Sequence, residues 1–211
     1  MILEHRDARI AMFAKLPRLG KVKTRLQPAL SAEQALDIYQ QLLAHGLTTL
    51  QTAALCPVEL WFDGQPDKSF TSQLQRRYGP IQIRVQQGDD LGQRMHHAMQ
   101  EIVQRAAKIV LIGADCPAID RDYLATALNN LNHNTPVVLG PATDGGYVLL
   151  AAQTISLPIF DAIDWGSDRV LEQTRLRLRG AGIDWFELSE LTDIDRPEDL
   201  TAARHYGIVL G

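Results

Sequence analysis

The chain has 211 residues, of which 45% are hydrophobic and 22% are charged, and its formal net charge is −4. This composition is typical of a globular protein, and the length suits one sizeable core, so we expect a single domain over residues 1–211. The negative net charge argues against broad nucleic-acid binding, which requires many contacts to phosphate groups. Two cysteines, Cys56 and Cys116, are too few for a disulfide framework or a zinc site, which favours a cytoplasmic protein.

Membrane association is not expected from the hydropathy pattern. No apolar run approaches the roughly 20 residues of a membrane-spanning helix. The first ten residues, MILEHRDARI, carry charges where a signal peptide would be apolar. We therefore expect no membrane segment and no signal peptide.

Apolar runs alternate with stretches of helical spacing along the whole chain. In chain order the predicted elements are a strand at 10–14, a helix at 31–53, a strand at 58–62, a helix at 67–78, a strand at 81–85, a helix at 91–107, a strand at 109–112, a helix at 120–132, strands beginning at 137–139 and covering 147–151, a helix at 167–180, a strand at 183–188 and a helix at 197–205. Ser31 with Gln34 fits a capping box, and Asp120 and Ser167 are predicted N-caps. This alternation predicts an α/β three-layer sandwich with a mostly parallel sheet.

A cationic loop follows the first predicted strand. It contains Lys15, Arg18, Lys21, Lys23 and Arg25. Pro17 and Gly20 make a continuous helix or strand unfavourable here. The backbone N–H groups and cationic side chains of such a loop can bind phosphate, although a solvated basic loop is the alternative. The loop matches neither the Walker A pattern nor the G-x-G-x-x-G pattern of a dinucleotide site.

Asp115 comes directly after the buried strand at 109–112, in the segment Gly113-Ala114-Asp115-Cys116-Pro117. Ligands of parallel sheets bind at the carboxyl ends of the strands. Because Mg²⁺ is usually held by one or two carboxylates plus substrate phosphates, we expect Asp115 to be a metal ligand; capping of the next turn is the alternative. Cys116 has no identifiable base partner and is expected to be a small buried residue.

Two further segments follow predicted strands. Asp144-Gly145-Gly146 exposes backbone that a ligand can approach, but it also fits an ordinary hairpin turn. Asp193 and Asp195 flank one residue, so in an extended chain both carboxylates point to the same side, which suits a metal; helix capping is the alternative. Trp165 either stacks on a substrate or fills the core, and a substrate-side position is favoured. The histidines show no metal-binding spacing and are expected to be structural.

Taken together, these motifs resemble one family. K-x-P-x-x-G-x-V-K-T-R-L, G-A-D-C-P, G-P-x-x-D-G-G-Y, D-W-G-S-D with V-L-E-Q-T, and D-I-D-R-P-E-D-L occur in the same order as in the glycosyltransferase-like family called selenodomain-associated transferase 1, which is related to 2-phospholactate guanylyltransferase. The resemblance implies a GT-A-type fold, that of the nucleotide-diphospho-sugar transferases, and nucleotide chemistry at a divalent cation. One departure is that Lys15 and Pro17 stand where the loop of simple sugar nucleotidyltransferases has glycines.

The resemblance and the motifs assign a role to each candidate residue. The predicted nucleotide-binding residues are Lys15, Pro17, Gly20, Lys23 and Arg25; the substrate-binding residues are Asp144, Gly145, Gly146 and Trp165; the metal ligands are Asp115, Asp193 and Asp195; and the catalytic residues are Lys23, Arg25 and Asp115. We expect Mg²⁺ or Mn²⁺ as the cofactor.

Three functions fit these assignments. The first is Mg²⁺-dependent transfer of a nucleotidyl group from a nucleoside triphosphate to a small phosphorylated acceptor, with release of pyrophosphate. The second is a glycosyltransferase that uses a nucleotide sugar and releases a nucleoside diphosphate. The third is a non-catalytic nucleotide-binding module, which is disfavoured because three acidic or glycine-rich loops exceed what binding alone requires. Neither the base, the acceptor nor the oligomeric state follows from the residues.

Overall fold

The alternation of apolar runs and amphipathic stretches folds as predicted into strands and helices. The computed structural model of the protein describes residues 3–153 and 158–210. The strands are β1 (Ala8–Ala14), β2 (Val58–Phe62), β3 (Gln82–Val85), β4 (Lys108–Gly113), β5 (Val137–Pro141), β6 (Tyr147–Ala152) and β7 (Trp185–Glu187). The helices are α1 (Ala32–Ala53), α2 (Lys68–Tyr78), α3 (Leu91–Val103), α4 (Arg121–Asn130), α5 (Val170–Gly180) and α6 (Leu200–Ala203).

The seven strands form one mostly parallel sheet in the order β3-β2-β1-β4-β6-β5-β7. β1 pairs in parallel with β2 and β4, and β2 and β5 pair in parallel with β3 and β7. Only β6 runs antiparallel to its neighbours, β4 and β5. The carboxyl ends of β1, β4, β5 and β7 consequently lie at one edge of the sheet, so the loops that follow these strands meet there.

Helices cover both faces of the sheet, which confirms the predicted three-layer arrangement. Side chains alternate along β1: Ile10 and Met12 pack with α1, α2 and α4, whereas Ala11 packs with α3 and α5 on the other face. The capping box of Ser31 and Gln34 forms at the start of α1, and the Asp120 side chain accepts a hydrogen bond at the start of α4. No helix within residues 3–153 and 158–210 has both the length and the apolar character to cross a membrane.

A small separate cluster joins three parts of the chain that are distant in sequence. Leu26, from the loop after β1, packs with Ile38 and Leu42 of α1 and with Ile194, near the C-terminal end. Leu26 and Ile194 are both fully buried. This cluster therefore holds the loop after β1 against the segment that follows β7.

The boundaries of several predicted elements are wrong. The helix predicted at 91–107 ends at Val103, and the strand predicted at 183–188 spans only Trp185–Glu187. The helix predicted at 197–205 is the short α6 between two 3₁₀ turns. The helix predicted to start after Ser167 begins at Val170, because the chain before it is engaged elsewhere: the Asp168 carbonyl oxygen lies against Gly145.

Candidate active site

A cavity of about 620 Å³ opens at the edge of the sheet that carries the carboxyl ends of β4 and β5, on either side of β6. Its walls come from the segment after β4, the turn between β5 and β6, the loop before α5 and residues 192–199. Seven lining residues are acidic: Asp115, Asp144, Asp168, Asp193, Asp195, Glu198 and Asp199. Two arginines, Arg25 and Arg196, also line it. The excess of carboxylates gives this cavity a strong attraction for cations.

Backbone hydrogen bonds bring the acidic segments together. The N–H of Ala114 donates to the carbonyl oxygen of Phe13, which fixes the start of the loop after β4 to β1. The N–H of Ile194 donates to the carbonyl oxygen of Asp115 at 2.9 Å. Because the Ile194 side chain is buried in the small cluster, its neighbours Asp193 and Asp195 both face the cavity, as the alternation in sequence predicts.

Lys23 lies between two of these carboxylates. Its ammonium Nζ is 2.7 Å from Asp115 Oδ1 and 3.7 Å from Asp195 Oδ1. Its side chain is only 3% exposed, and its backbone adopts the left-handed conformation with φ 48°. Among the described residues, neither Lys23 Nζ nor Asp115 Oδ1 has a partner with hydrogen-bond geometry, although the two atoms are in close contact. The contact is therefore an ion pair rather than a well-aligned hydrogen bond.

Arg25 approaches Asp195 from the solvent side. Its Nη1 donates to Asp195 Oδ2 at 2.7 Å, while its side chain is 57% exposed. Within residues 3–153 and 158–210, no lysine or arginine forms such a pair with Asp193, and burial, followed by repulsion from Asp144, raises its pKa to about 6. Asp193 thus lies in a site that disfavours a further uncompensated negative charge.

The remaining residues of the predicted phosphate loop lie outside the cavity wall. Lys15 exchanges two hydrogen bonds of 2.7 Å with the Tyr39 hydroxyl through its backbone N–H and carbonyl groups. The Lys15 side chain and Gly20 are exposed, and Pro17 is half-buried. Gly20 has φ +71°, and a Cβ added there would meet no atom within 4 Å. The structure brings Lys23 and Arg25 to the carboxylates but does not place Lys15, Pro17 or Gly20 in the cavity wall.

The segment Asp144-Gly145-Gly146 forms a hairpin turn and also belongs to the cavity wall. The N–H of Gly146 donates to Asp144 Oδ1 at 2.9 Å, and β5 and β6 continue from the turn. Gly145 has φ +89°, and a Cβ there would lie 2.0 Å from the Asp168 carbonyl oxygen. Asp144 and Gly146 line the cavity, whereas Gly145 packs against the chain before α5. The hairpin turn is therefore present, and two of its residues line the cavity, while substrate binding by this segment stays a prediction.

Comparison with known sequences assigns this chain to a family. The family model described as "Uncharacterized protein conserved in bacteria (DUF2064)" matches residues 46–167, more than half of the chain. The phosphoenolpyruvate guanylyltransferase of Mycolicibacterium gilvum (strain PYR-GCK) is 30% identical over 208 residues, covering 96% of this chain and 92% of that protein. The chain belongs to the DUF2064 family. This relationship confirms the predicted resemblance to nucleotidyltransferase- and glycosyltransferase-like proteins. It also confirms the prediction that the protein is a transferase.

Solved structures agree with the fold of this DUF2064 protein. A protein of Desulfovibrio desulfuricans G20, assigned to the nucleotide-diphospho-sugar transferases, is 28% identical with a TM-score of 0.81, covering 95% of this chain and 98% of that chain. The 4-diphosphocytidyl-2C-methyl-D-erythritol synthase of Anaerococcus prevotii DSM 20548 is 11% identical, with a TM-score of 0.60 and coverage of 95% and 96% of the two chains. The predicted GT-A-like fold is confirmed.

Sequence reasoning missed one wall of the cavity in this DUF2064 chain. Leu91, the first residue of α3, lines it, and Trp165 covers the adjacent Gly92: a Cβ on Gly92 would lie 2.5 Å from Trp165 Nε1. The Trp165 ring also makes an edge contact with Tyr147. The available signal is Gly92, a glycine inside the helix predicted at 91–107, which indicates a close approach by another group. Trp165 itself lines the cavity, and its contact with a substrate stays a prediction.

The carboxylates can be compared with the needs of a divalent cation. Within residues 3–153 and 158–210, no group of three or more histidine, cysteine or acidic side chains has metal-site geometry. Mg²⁺, however, usually takes only one or two protein carboxylates and completes its coordination with phosphates and water. The Lys23 ammonium already demonstrates that a cation is accommodated between Asp115 and Asp195. These residues fit Mg²⁺ when phosphate oxygens complete its coordination.

Cys116 is buried nearby, as predicted from the sequence. Burial raises the pKa of its thiol to about 12, so the thiol does not ionise readily and is a poor nucleophile.

Proposed function

We propose that this DUF2064 protein is a Mg²⁺-dependent nucleotidyltransferase, which joins a nucleoside monophosphate from an NTP to a small phosphorylated acceptor. The proposal is carried mainly by one observation: Lys23 and Arg25 meet Asp115 and Asp195 at the carboxyl edge of the sheet, beside a cavity that can take a small molecule. Cations that offset phosphate charge and carboxylates that hold Mg²⁺ are the two requirements of nucleotidyl transfer. The 30% identical relative is named a phosphoenolpyruvate guanylyltransferase, so GTP and phosphoenolpyruvate are the first substrates to test.

In this reaction an oxygen of the acceptor phosphate forms a bond to the α-phosphorus of the NTP. The bond between that phosphorus and the oxygen bridging to the β-phosphate breaks, and pyrophosphate leaves with the electron pair. The acceptor phosphate is largely deprotonated at neutral pH, with a second pKa of about 6, so no general base is required. The contribution of the protein is positioning and charge neutralisation.

Individual side chains take separate parts in this scheme. Asp115 with Asp193 or Asp195 would hold Mg²⁺, which would supply charge neutralisation at the triphosphate. Arg25 is exposed and needs only a side-chain rotation to reach a phosphate beside Asp195. Asp144 and Gly146, in the turn between β5 and β6 that forms part of the cavity wall, would face the acceptor.

The test is a pyrophosphate-release assay with each of the four NTPs, Mg²⁺, and a panel of phosphorylated carboxylic acids that includes phosphoenolpyruvate. We expect release of one pyrophosphate per acceptor consumed with a single preferred NTP. Omission of the acceptor and chelation of the metal are the controls. Absence of pyrophosphate with every NTP and acceptor in the presence of Mg²⁺ or Mn²⁺ would refute the proposal.

Glycosyl transfer from a nucleotide sugar is the second candidate. It is favoured by the Desulfovibrio desulfuricans G20 structure, whose name assigns it to the nucleotide-diphospho-sugar transferases and which matches nearly the whole chain. The two reactions differ in their leaving groups. Release of a nucleoside diphosphate from a nucleotide sugar, with no pyrophosphate from any NTP, would decide for glycosyl transfer.

A further inference from the structure

The most unusual side chain in the described part of the molecule is Lys23. A lysine ammonium is rarely buried, because removing the charge from water is costly unless carboxylates compensate for it. Here the side chain is 3% exposed, and Asp115 and Asp195 supply the compensation at 2.7 Å and 3.7 Å. The same two carboxylates belong to the set that would hold Mg²⁺. The ammonium thus lies where a metal cation would be attracted.

The backbone around Lys23 keeps the ammonium in this place. Val22 and Leu26 are both buried on either side of it, so the chain at this point is anchored. The backbone of Lys23 has φ 48°, a left-handed conformation that few residues other than glycine adopt readily. Any displacement of the ammonium must therefore come from the four-carbon side chain, which is flexible, and not from movement of the loop.

An ammonium and a divalent cation repel each other when both lie within a few ångströms of the same carboxylates. We propose that Lys23 acts as an internal cation, which occupies the carboxylates of the nucleotide-free protein and is released from them when metal and nucleotide bind together. This inference rests on the proposed Mg²⁺ site of a nucleotidyltransferase. Phosphate groups of the donor provide the new partner for the ammonium, so Lys23 exchanges one set of oxygen partners for another.

The consequence is a coupling between the two ligands. Metal alone must compete with Lys23 and binds weakly, whereas metal that arrives with a triphosphate meets carboxylates that the ammonium has left. Binding is therefore positively cooperative, and the empty site does not retain a metal without a donor. Arg25 cannot have the same effect, because its guanidinium is 57% exposed and its charge is screened by solvent.

The direct test measures Mn²⁺ binding to the nucleotide-free protein by the electron paramagnetic resonance signal of free Mn²⁺. The variant Lys23→Met keeps the length and apolar stem of the side chain but removes the charge. We expect its Mn²⁺ dissociation constant to be at least ~10-fold lower than that of the wild type, since the competing cation is gone. Arg25→Met is the matched control: it removes one positive charge beside the same Asp195, and we expect a change below ~3-fold because the charge is exposed.

Two results of this measurement would overturn the inference: Lys23→Met binding Mn²⁺ no more tightly than the wild type, or Arg25→Met gaining as much affinity as Lys23→Met.

Acetylation of the wild type, read out by mass spectrometry, provides a second test that needs no variant. Lys23 should be protected in the metal-free protein and become reactive at saturating Mg²⁺; unchanged protection would contradict the exchange. Neither readout requires turnover. If the wild type releases pyrophosphate but Lys23→Met binds Mn²⁺ no more tightly, only the proposed exchange is wrong. If Lys23→Met binds Mn²⁺ more tightly but the wild type shows no turnover, the exchange stands and the proposed reaction is refuted.

Discussion

Two ion pairs, each with one buried side chain, differ in how many of their hydrogen-bonding groups have a partner. Glu59 of β2 is only 1% exposed and accepts two hydrogen bonds from Arg105 Nη2, at 2.8 and 2.9 Å, and another from Arg105 Nε. The Nε1–H of Trp61 also donates to Glu59 at 3.2 Å. Lys23 and Asp115 lie as close together, but without hydrogen-bond geometry and with Asp195 competing for the same ammonium. The pair within the fold is saturated, and the pair at the cavity keeps unused bonding capacity.

The difference indicates what each pair is for. A buried pair whose acceptors are all used offers nothing to a ligand and cannot rearrange without a large loss of stability. The Asp115 side chain is 44% exposed despite its buried Oδ1, so it can bind both inside the protein and in the cavity. We expect substitutions at the first pair to act on stability and substitutions at the second to act on function.

The largest expected effect is that of Asp115→Asn on the rate. Loss of this carboxylate removes a proposed metal ligand and one partner of Lys23, and we expect pyrophosphate release to fall at least ~100-fold, by analogy with single electrostatic groups in other enzymes. The melting temperature should fall by roughly 3–5 °C, because the buried Lys23 ammonium loses its nearer carboxylate and keeps only Asp195, at 3.7 Å. Pyrophosphate release and thermal unfolding measure the two quantities. Asp122→Asn, at a position that is 90% exposed, is the control; full activity of Asp115→Asn would remove Asp115 from the site.

Glu59→Ala should have the opposite profile. The substitution leaves the Arg105 guanidinium and the Trp61 N–H without their acceptor, and we expect it to lower the free energy of unfolding by about 2–3 kcal/mol. The value is at the lower end for a buried pair because Arg105 is 27% exposed and can turn to water. Urea unfolding measures this loss, and kcat should be unchanged where the variant is folded.

The control for Glu59→Ala is Glu172→Ala, which removes a carboxylate that is 56% exposed and paired with Arg175 and Arg179. We expect this control to change the free energy of unfolding by no more than about 0.5 kcal/mol. If Glu59→Ala instead reduced kcat as strongly as Asp115→Asn while remaining stable, the contrast between a structural and a functional pair would be lost.

The position of Asp115 was predictable, but its ion pair was not. Asp115 follows a buried parallel strand, and the carboxyl ends of such strands share one edge, which is sufficient to predict that Asp115 and the Asp193–Asp195 segment approach each other. No local pattern connects Lys23 with Asp115, 92 positions later in the sequence. That contact depends on the packing of Leu26 against Ile194, which only the folded chain creates.

Element boundaries failed for related reasons. Serine is a preferred N-cap residue, yet α5 starts at Val170 and not directly after Ser167. The reason is that Gly145 packs against Asp168 and that the N–H of Leu171 donates to the Gly145 carbonyl oxygen. These tertiary contacts outweigh the local capping preference. The ion pair of Glu59 was likewise not predictable: the sequence shows one acid in an apolar strand, and its partner Arg105 lies in the turn after α3, 46 residues away.

The smallest expected effect concerns a third pair, which separates the influence of saturation from that of burial. Glu187 of the edge strand β7 accepts hydrogen bonds from Arg175 Nε and Nη2 and from Trp185 Nε1, at 2.7–2.8 Å, but it is 29% exposed. The hydrogen bonds from Arg175 are the main cause of a lowered pKa of Glu187. Because the folded pKa lies below the unfolded value of about 4.3, this pair stabilises the protein above pH ~4.3 and loses its effect as the pH falls through the folded pKa.

Glu187→Gln should therefore be less stable than the wild type by up to about 1 kcal/mol at pH 7, and the difference should shrink as the pH is lowered below 4. Urea unfolding at pH 7 and at pH 3.5 measures the difference at both ends of this range. A gap that stays constant or widens on acidification would show that the ionised form of Glu187 is not what the arginine stabilises. A gap as large as that of Glu59→Ala would indicate that complete hydrogen bonding, rather than burial, determines the strength of these pairs, and the contrast between Glu59 and Asp115 would then rest on saturation alone.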